Sequence, residues 1–212
     1  MRTGVTDAIA DAPGRLFWQD GFLKPATCET ILEELDFAFW QRSTVYQPDE
    51  SGQYHHTVSD RRVSTTTSER WFTIPLRRRM AAINRRIDAL VPGFAQRREE
   101  WQATKYNRGG RFNYHQDAGY FGDEPAGERT HTVLLYLDTP ARGGETHFPL
   151  LDVEVTPRSG RLLVWRNLDR EGLTDPDMLH ASRPLVQGLK TVFITWMRQR
   201  PTHMLSTGGK VP

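Results

Sequence analysis

The chain has 212 residues, 37% hydrophobic and 25% charged, with a net charge of +2. That is enough apolar material for one core, and no apolar run approaches the ~20 residues of a membrane span. Its 24 arginines and 4 lysines are scattered rather than striped with aromatics, which argues against nucleic acid as a partner. Residues 1–7 lack the apolar stretch of a signal peptide and the lone Cys28 has no internal disulfide partner, so the expected compartment is cytoplasmic.

Residues 1–98 carry helical signals. Pro25 opens a predicted helix over 26–40, with Ile31, Leu35 and Phe39 at i, i+4 and i+8 on one face. A second helix is predicted from Pro75 to Leu90, where Pro92-Gly93 ends it. Between them the polar stretch 48–60 reads as a mobile loop that leads into a strand-like segment at 61–67. The Arg77-Arg78-Arg79 and Arg97-Arg98 clusters read as solvated helix faces.

From Glu99 the pattern changes to short strands divided by Gly, Pro and Asp turns: 101–106, 111–115, 130–137, 160–164, 184–186 and 189–197. Strands without intervening helices predict an all-β core of jelly-roll type with flanking helices. The expected organisation is one domain over 1–212, with helical support and a lid in 1–98, the core in 99–198 and a tail in 199–212. Gly143-Gly144 reads as a turn needing a backbone without Cβ, since no phosphate-binding helix start follows.

Three residues in the second half carry metal-binding chemistry. His115-Gln116-Asp117 is the chain's one His-x-Asp, and on a strand its two outer side chains point to one face. With the distant His180 it forms a candidate 2-His-1-carboxylate facial triad, which leaves three adjacent positions open on non-haem Fe(II). Lys190 starts a strand in which Lys190, Val192, Ile194 and Trp196 share one face. No acid on that strand pairs with it, so its amine either reaches water along its stem or meets an anionic ligand. His131 and His147 read as ordinary strand histidines.

The run Tyr106-Asn107-Arg108-Gly109-Gly110-Arg111-Phe112-Asn113-Tyr114-His115-Gln116-Asp117, the strand 132–137, Gly143 to Pro149, 160–165 and His180 through Lys190 to Trp196 together resemble the prolyl 4-hydroxylase-like branch of the 2-oxoglutarate and Fe(II)-dependent dioxygenases. The match covers residues 99–198 in the family's order. It implies a double-stranded β-helix holding Fe(II) through His115, Asp117 and His180. It also implies that Lys190, with the Tyr106 and Thr146 hydroxyls and Trp196, binds 2-oxoglutarate as co-substrate with O2, ascorbate serving as reductant. The implied reaction hydroxylates an aliphatic C–H through an Fe(IV)-oxo species and releases succinate and CO2.

Arg129 matches a family arginine that contacts substrate, and Arg62 and Phe112 are expected beside it beneath a lid formed by 46–60 and 118–128. Members acting on peptidyl proline carry Tyr where this chain has Phe112, so a free amino acid or natural-product intermediate stands beside a prolyl residue as the expected substrate. Intact Asp117 argues against a halogenase. Intact Asp117 and Lys190 also argue against the alternative of a non-catalytic jelly-roll sensor.

Overall fold

The computed structural model describes residues 5–7 and 15–203. The part of the expected tail from 204 on lies outside the described residues.

Helix α1 (Pro25–Leu35) starts on Pro25, and Cys28, Ile31 and Leu35 form its buried face. It stops five residues short of the expected end. The Leu35 carbonyl accepts from the Ala38 amide and from the Trp40 indole N–H at 3.0 Å, which turns the chain out of the helix. Phe39 therefore leaves the predicted apolar face and lies 59% exposed. Helix α2 (Ile74–Asp88) follows the predicted pattern, with the Thr73 hydroxyl capping the Leu76 amide and Leu76, Met80, Ile83 and Ile87 buried along one side. The short α3 (Phe94–Arg97) completes the helical layer.

These helices cover the outer face of an eight-stranded sheet. Its order is Val5–Asp7, Leu16–Gln19, Leu162–Arg166, Arg129–Tyr136, Lys190–Arg198, Gln102–Tyr106, Thr65–Ser68 and Gln41–Arg42. Its inner face meets a five-stranded sheet ordered Val153–Val155, Thr146–Phe148, His180–Ser182, Arg111–His115 and Arg62–Val63. Two facing antiparallel sheets of this kind make the double-stranded β-helix, or jelly roll.

Strand alternation divides the core in two. Leu162, Val164, Phe193 and Met197 face the helices, whereas Leu163, Trp165 and Val192 face the space between the sheets. Each large side chain removed from water on either face contributes roughly 1.5–3 kcal/mol. The expected division at residue 98 is not a boundary in the sheets. Leu16–Gln19 pairs with Leu162–Arg166, and Arg62–Val63 pairs with Arg111–His115. Arg62–Val63 falls in the segment read as strand-like, whereas Leu16–Gln19 was hidden because its partner lies far along the chain and pairing, not local propensity, makes it a strand. The stretch read as a mobile loop likewise contains a strand, since Tyr54–Thr57 forms a hairpin with Val45–Pro48.

Candidate active site

His115 ends one strand of the smaller sheet and His180 begins the next, and the two are register partners. Asp117 lies two residues beyond the strand end, so the pleat alone does not aim it. Thr132 of the opposite sheet does so instead. Its hydroxyl donates to Asp117 Oδ2 at 2.6 Å and accepts from Asn167 Nδ2 at 3.0 Å. One donor atom from each of His115, Asp117 and His180 falls in a group spanning at most 4.8 Å, with Asp117 oxygens 3.7 Å from His115 Nε2 and 3.5 Å from His180 Nε2.

The protonation states suit a cation. His115 Nδ1 lies 2.8 Å from the Asn113 carbonyl and His180 Nδ1 lies 2.9 Å from the Met178 carbonyl. Each carbonyl accepts an Nδ1–H, which turns both Nε2 atoms towards Asp117. Burial, reinforced by His180, pushes the His115 imidazole down to about 3, so it is neutral at ordinary pH. Burial alone would raise the Asp117 carboxyl. His180, His115, Arg129 and the Thr132 hydroxyl outweigh it and hold the group below the usual carboxylate range.

Behind the triad a narrow cavity runs between the sheets to Lys190, walled by Tyr106, Thr146, Trp165 and Trp196. Lys190 is 1% exposed, which removes the alternative in which its amine reaches water. Its Nζ donates to the Gly144 carbonyl at 2.6 Å and to Ser182 Oγ at 2.8 Å, and sits 4.9 Å above the Tyr106 ring. Gly143 and Gly144 both have φ near +80°, the left-handed turn expected of them. Burial lowers the Lys190 amine to about 7, against the opposing pull of Glu145 and Asp138. The Thr146 hydroxyl is 2.5 Å from the Tyr136 hydroxyl.

Two observations fit this cavity to an oxygen-rich anion beside a metal. A cation is buried with no carboxylate within 4.0 Å among the described residues, a costly arrangement unless an anion completes it. The indole N–H groups of Trp165 and Trp196 are also buried there without an acceptor.

The triad opens on its other side into a hollow lined by Arg62, Phe112 and Arg129. The Phe112 ring stacks on His115 at 3.6 Å and Arg62 lies 4.8 Å above Phe112. Arg129 forms an ion pair with Glu99 at 2.7 Å and packs between Trp196 and Phe121, at 3.8 and 4.3 Å from the ring centres. Above the hollow, Tyr46 stacks on Phe121 and Tyr54 meets Tyr120, which joins the hairpin to the segment that follows Asp117. Every predicted site residue therefore lines one of two spaces that meet at the triad.

Ser182, Thr132, Asn167, Trp165 and Glu99 were not predicted. Ser182 had a readable signal, since it stands two places after His180 on a strand and shares its face. Thr132 and Asn167 had none, because their role depends on a contact between sheets.

A 2OG-Fe(II) oxygenase superfamily model matches residues 101–198, the part of the chain that holds all three triad residues. The probable prolyl 4-hydroxylase 6 of Arabidopsis thaliana is 30% identical over 222 residues, which cover 92% of this chain and 71% of that protein. The chain belongs to the prolyl 4-hydroxylase-like branch of the 2OG-Fe(II) oxygenases. Prolyl 4-hydroxylase subunit alpha-2 of Caenorhabditis elegans is 31% identical over 80% of this chain and 32% of its own length. The chain thus spans about a third of the first curated relatives it matches. The same fold occurs in the viral collagen prolyl hydroxylase of Paramecium Bursaria Chlorella virus-1, solved as a 2OG complex, with a TM-score of 0.63, 20% identity and coverage of 88% and 97% of the two chains. A Pseudomonas putida prolyl-4-hydroxylase aligns with a TM-score of 0.60 at 18% identity, over 89% of this chain and 94% of its own.

Proposed function

We propose that the protein is a 2-oxoglutarate- and Fe(II)-dependent hydroxylase of an aliphatic C–H, with a prolyl residue of a peptide as its substrate. The observation that carries this reading is the continuity of a His115–Asp117–His180 cluster with a cavity ending in a buried lysine that no carboxylate approaches within 4.0 Å among the described residues. His115, Asp117 and His180 would hold the iron, while Lys190, Tyr106, Thr146 and Trp196 would hold the co-substrate. Iron, 2-oxoglutarate and O2 together supply an oxidant able to break an unactivated C–H bond, turning substrate into alcohol with release of succinate and CO2. Ascorbate would keep the iron ferrous.

This chain's residues have four tasks. The Asn113 and Met178 carbonyls fix the imidazole tautomers, and Thr132 fixes the carboxylate, so the donor set is organised before anything binds. Lys190 and Ser182 receive the remote carboxylate where water is excluded and a charge pair is strong. Phe112 and Trp196 give apolar walls that place one C–H and reject others. The hairpin and the segment 118–128 act as a lid that limits oxidation without substrate.

Phe112 favours a second reading, a free amino acid or natural-product intermediate, because it supplies no hydroxyl to a peptide. Anaerobic loading with Fe(II) and 2-oxoglutarate, followed by oxygen and a panel of proline peptides and free amino acids, tests both. Succinate with a +16 product on a peptide supports the first reading, and on a free amino acid the second. Binding of both ligands without succinate from any substrate overturns the enzyme in favour of a non-catalytic sensor.

A further inference from the structure

The hollow at the triad does not end there. It shares Thr44, Arg62 and Gln102 with a polar groove leading to the aromatic pair Phe39 and Trp71, and it shares Arg61 and Phe112 with a hollow on the opposite side, over Arg111 and Arg183. The three form one path across the iron site. Six arginines line it, at 42, 61, 62, 111, 129 and 183, and the one acidic residue among the lining is Asp117, committed to the triad. Arg129 is neutralised by Glu99 and Arg183 by Glu154. Arg42, Arg61, Arg62 and Arg111 have no carboxylate within 4.0 Å among the described residues, although the whole chain carries only +2. The path therefore carries four arginine charges that no carboxylate of its lining offsets.

We infer that this path is a binding groove for an acidic peptide segment lying across the active site, with the reacting residue above the triad and negatively charged side chains on both flanks. The inference rests on the peptidyl reading proposed above and names its sequence class. Three features favour a peptide over a small anion. The unpaired arginines lie on both sides of the central hollow, so no single small molecule placed over the triad reaches them all. The strand Gln41–Arg42 is the outermost of its sheet, and its second edge has no strand partner among the described residues, so it can pair with an extended chain. Phe39 and Trp71, 59% and 58% exposed with ring centres 5.6 Å apart, offer an apolar grip at the groove's end. Charge complementarity of this kind steers encounter and selects sequence.

The test uses the Fe(II)- and 2-oxoglutarate-loaded protein, held anaerobic, and labelled peptides of one length centred on a single proline. The flanks are acidic, neutral or lysine-rich, binding is read by anisotropy, and succinate is measured after oxygen is admitted. Acidic flanks should bind roughly tenfold tighter than lysine-rich ones, and the gap should close as salt is raised. The double charge reversal Arg42→Glu with Arg111→Glu should invert the preference, a gain of binding to lysine-rich peptides that a misfolded protein could not give. Equal affinity for all three flanks overturns the inference, and if those peptides still drive succinate the hydroxylase reading survives. Preferential binding of acidic peptides with no succinate from any upholds the groove and removes peptidyl hydroxylation. Displacement of the acidic peptide by an equal concentration of free glutamate overturns the peptide as occupant.

Discussion

The two sides of the triad are built by different means. Towards Lys190 the walls are strands, and the polar groups are sealed in, with Lys190, His180 and Asp117 at 1%, 4% and 6% exposure. Towards the outer hollow the walls are a hairpin and a turn-rich segment, and Tyr54 and Tyr120 are 44% and 40% exposed. The inner side can hold a co-substrate that is the same in every turnover, because strands fix its contacts in advance. In the proposed reaction the outer side admits and releases the substrate, and segments with few buried anchors open at low cost.

The largest effect should come from the point where the two sides meet. Replacing His115, Asp117 or His180 by Ala should bring 2-oxoglutarate turnover to the assay floor while circular dichroism stays native, because the strands bearing the histidines pair through backbone bonds that the side chains do not supply. Full succinate production by any variant removes that residue from the site.

Next in size is the inner anchor. Lys190→Ala should raise the KM for 2-oxoglutarate by about thirtyfold or more, since truncating one partner of a buried charge pair costs roughly 2–5 kcal/mol. An unchanged KM would place the anchor elsewhere.

The same lysine predicts two opposed pH trends. Burial holds its amine at about 7 in the folded chain, against about 10.4 when unfolded. Between those values the unfolded state binds more protons, so this group makes stability rise with pH across the window. Over the same window the amine loses its charge in the ligand-free protein, so the KM for 2-oxoglutarate should rise. Lys190→Met should flatten both trends, and a melting temperature that climbs equally in the variant would assign the effect to another group.

Smaller changes are expected on the outer side. Tyr46→Ala removes the stack on Phe121, an interaction of about 0.5–1.5 kcal/mol. It should increase amide exchange in the hairpin and in 118–128 and raise succinate formed without substrate several-fold. Unchanged exchange in both segments would defeat the lid. The smallest effect is expected from Phe112→Tyr, which adds one hydroxyl beside His115. A gain in turnover of proline peptides would show that the native chain is built for another substrate.

Much of the inner side was legible in the sequence. Period-two alternation placed Lys190, Val192, Ile194 and Trp196 on one face, and all four line the inner cavity. The His-x-Asp spacing and His180 nominated the three residues that the fold brings together. The alternation repeats along a single strand, so local sequence determines it, whereas the triad was nominated by residue type and order and assembled by the fold.

What only the tertiary structure decided depends on partners distant in the chain. Asp117 is aimed by Thr132 from the opposite sheet, and Lys190 is coordinated by Gly144 and Ser182 from two other segments. Helix α1 ends early because Trp40 folds back onto Leu35, and the strand Leu16–Gln19 exists because Leu162–Arg166 accepts it. The alternation of one strand states which side chains share a face. Which residues stand opposite that face, and so how far a buried charge is paired, is set by how the sheets close on each other.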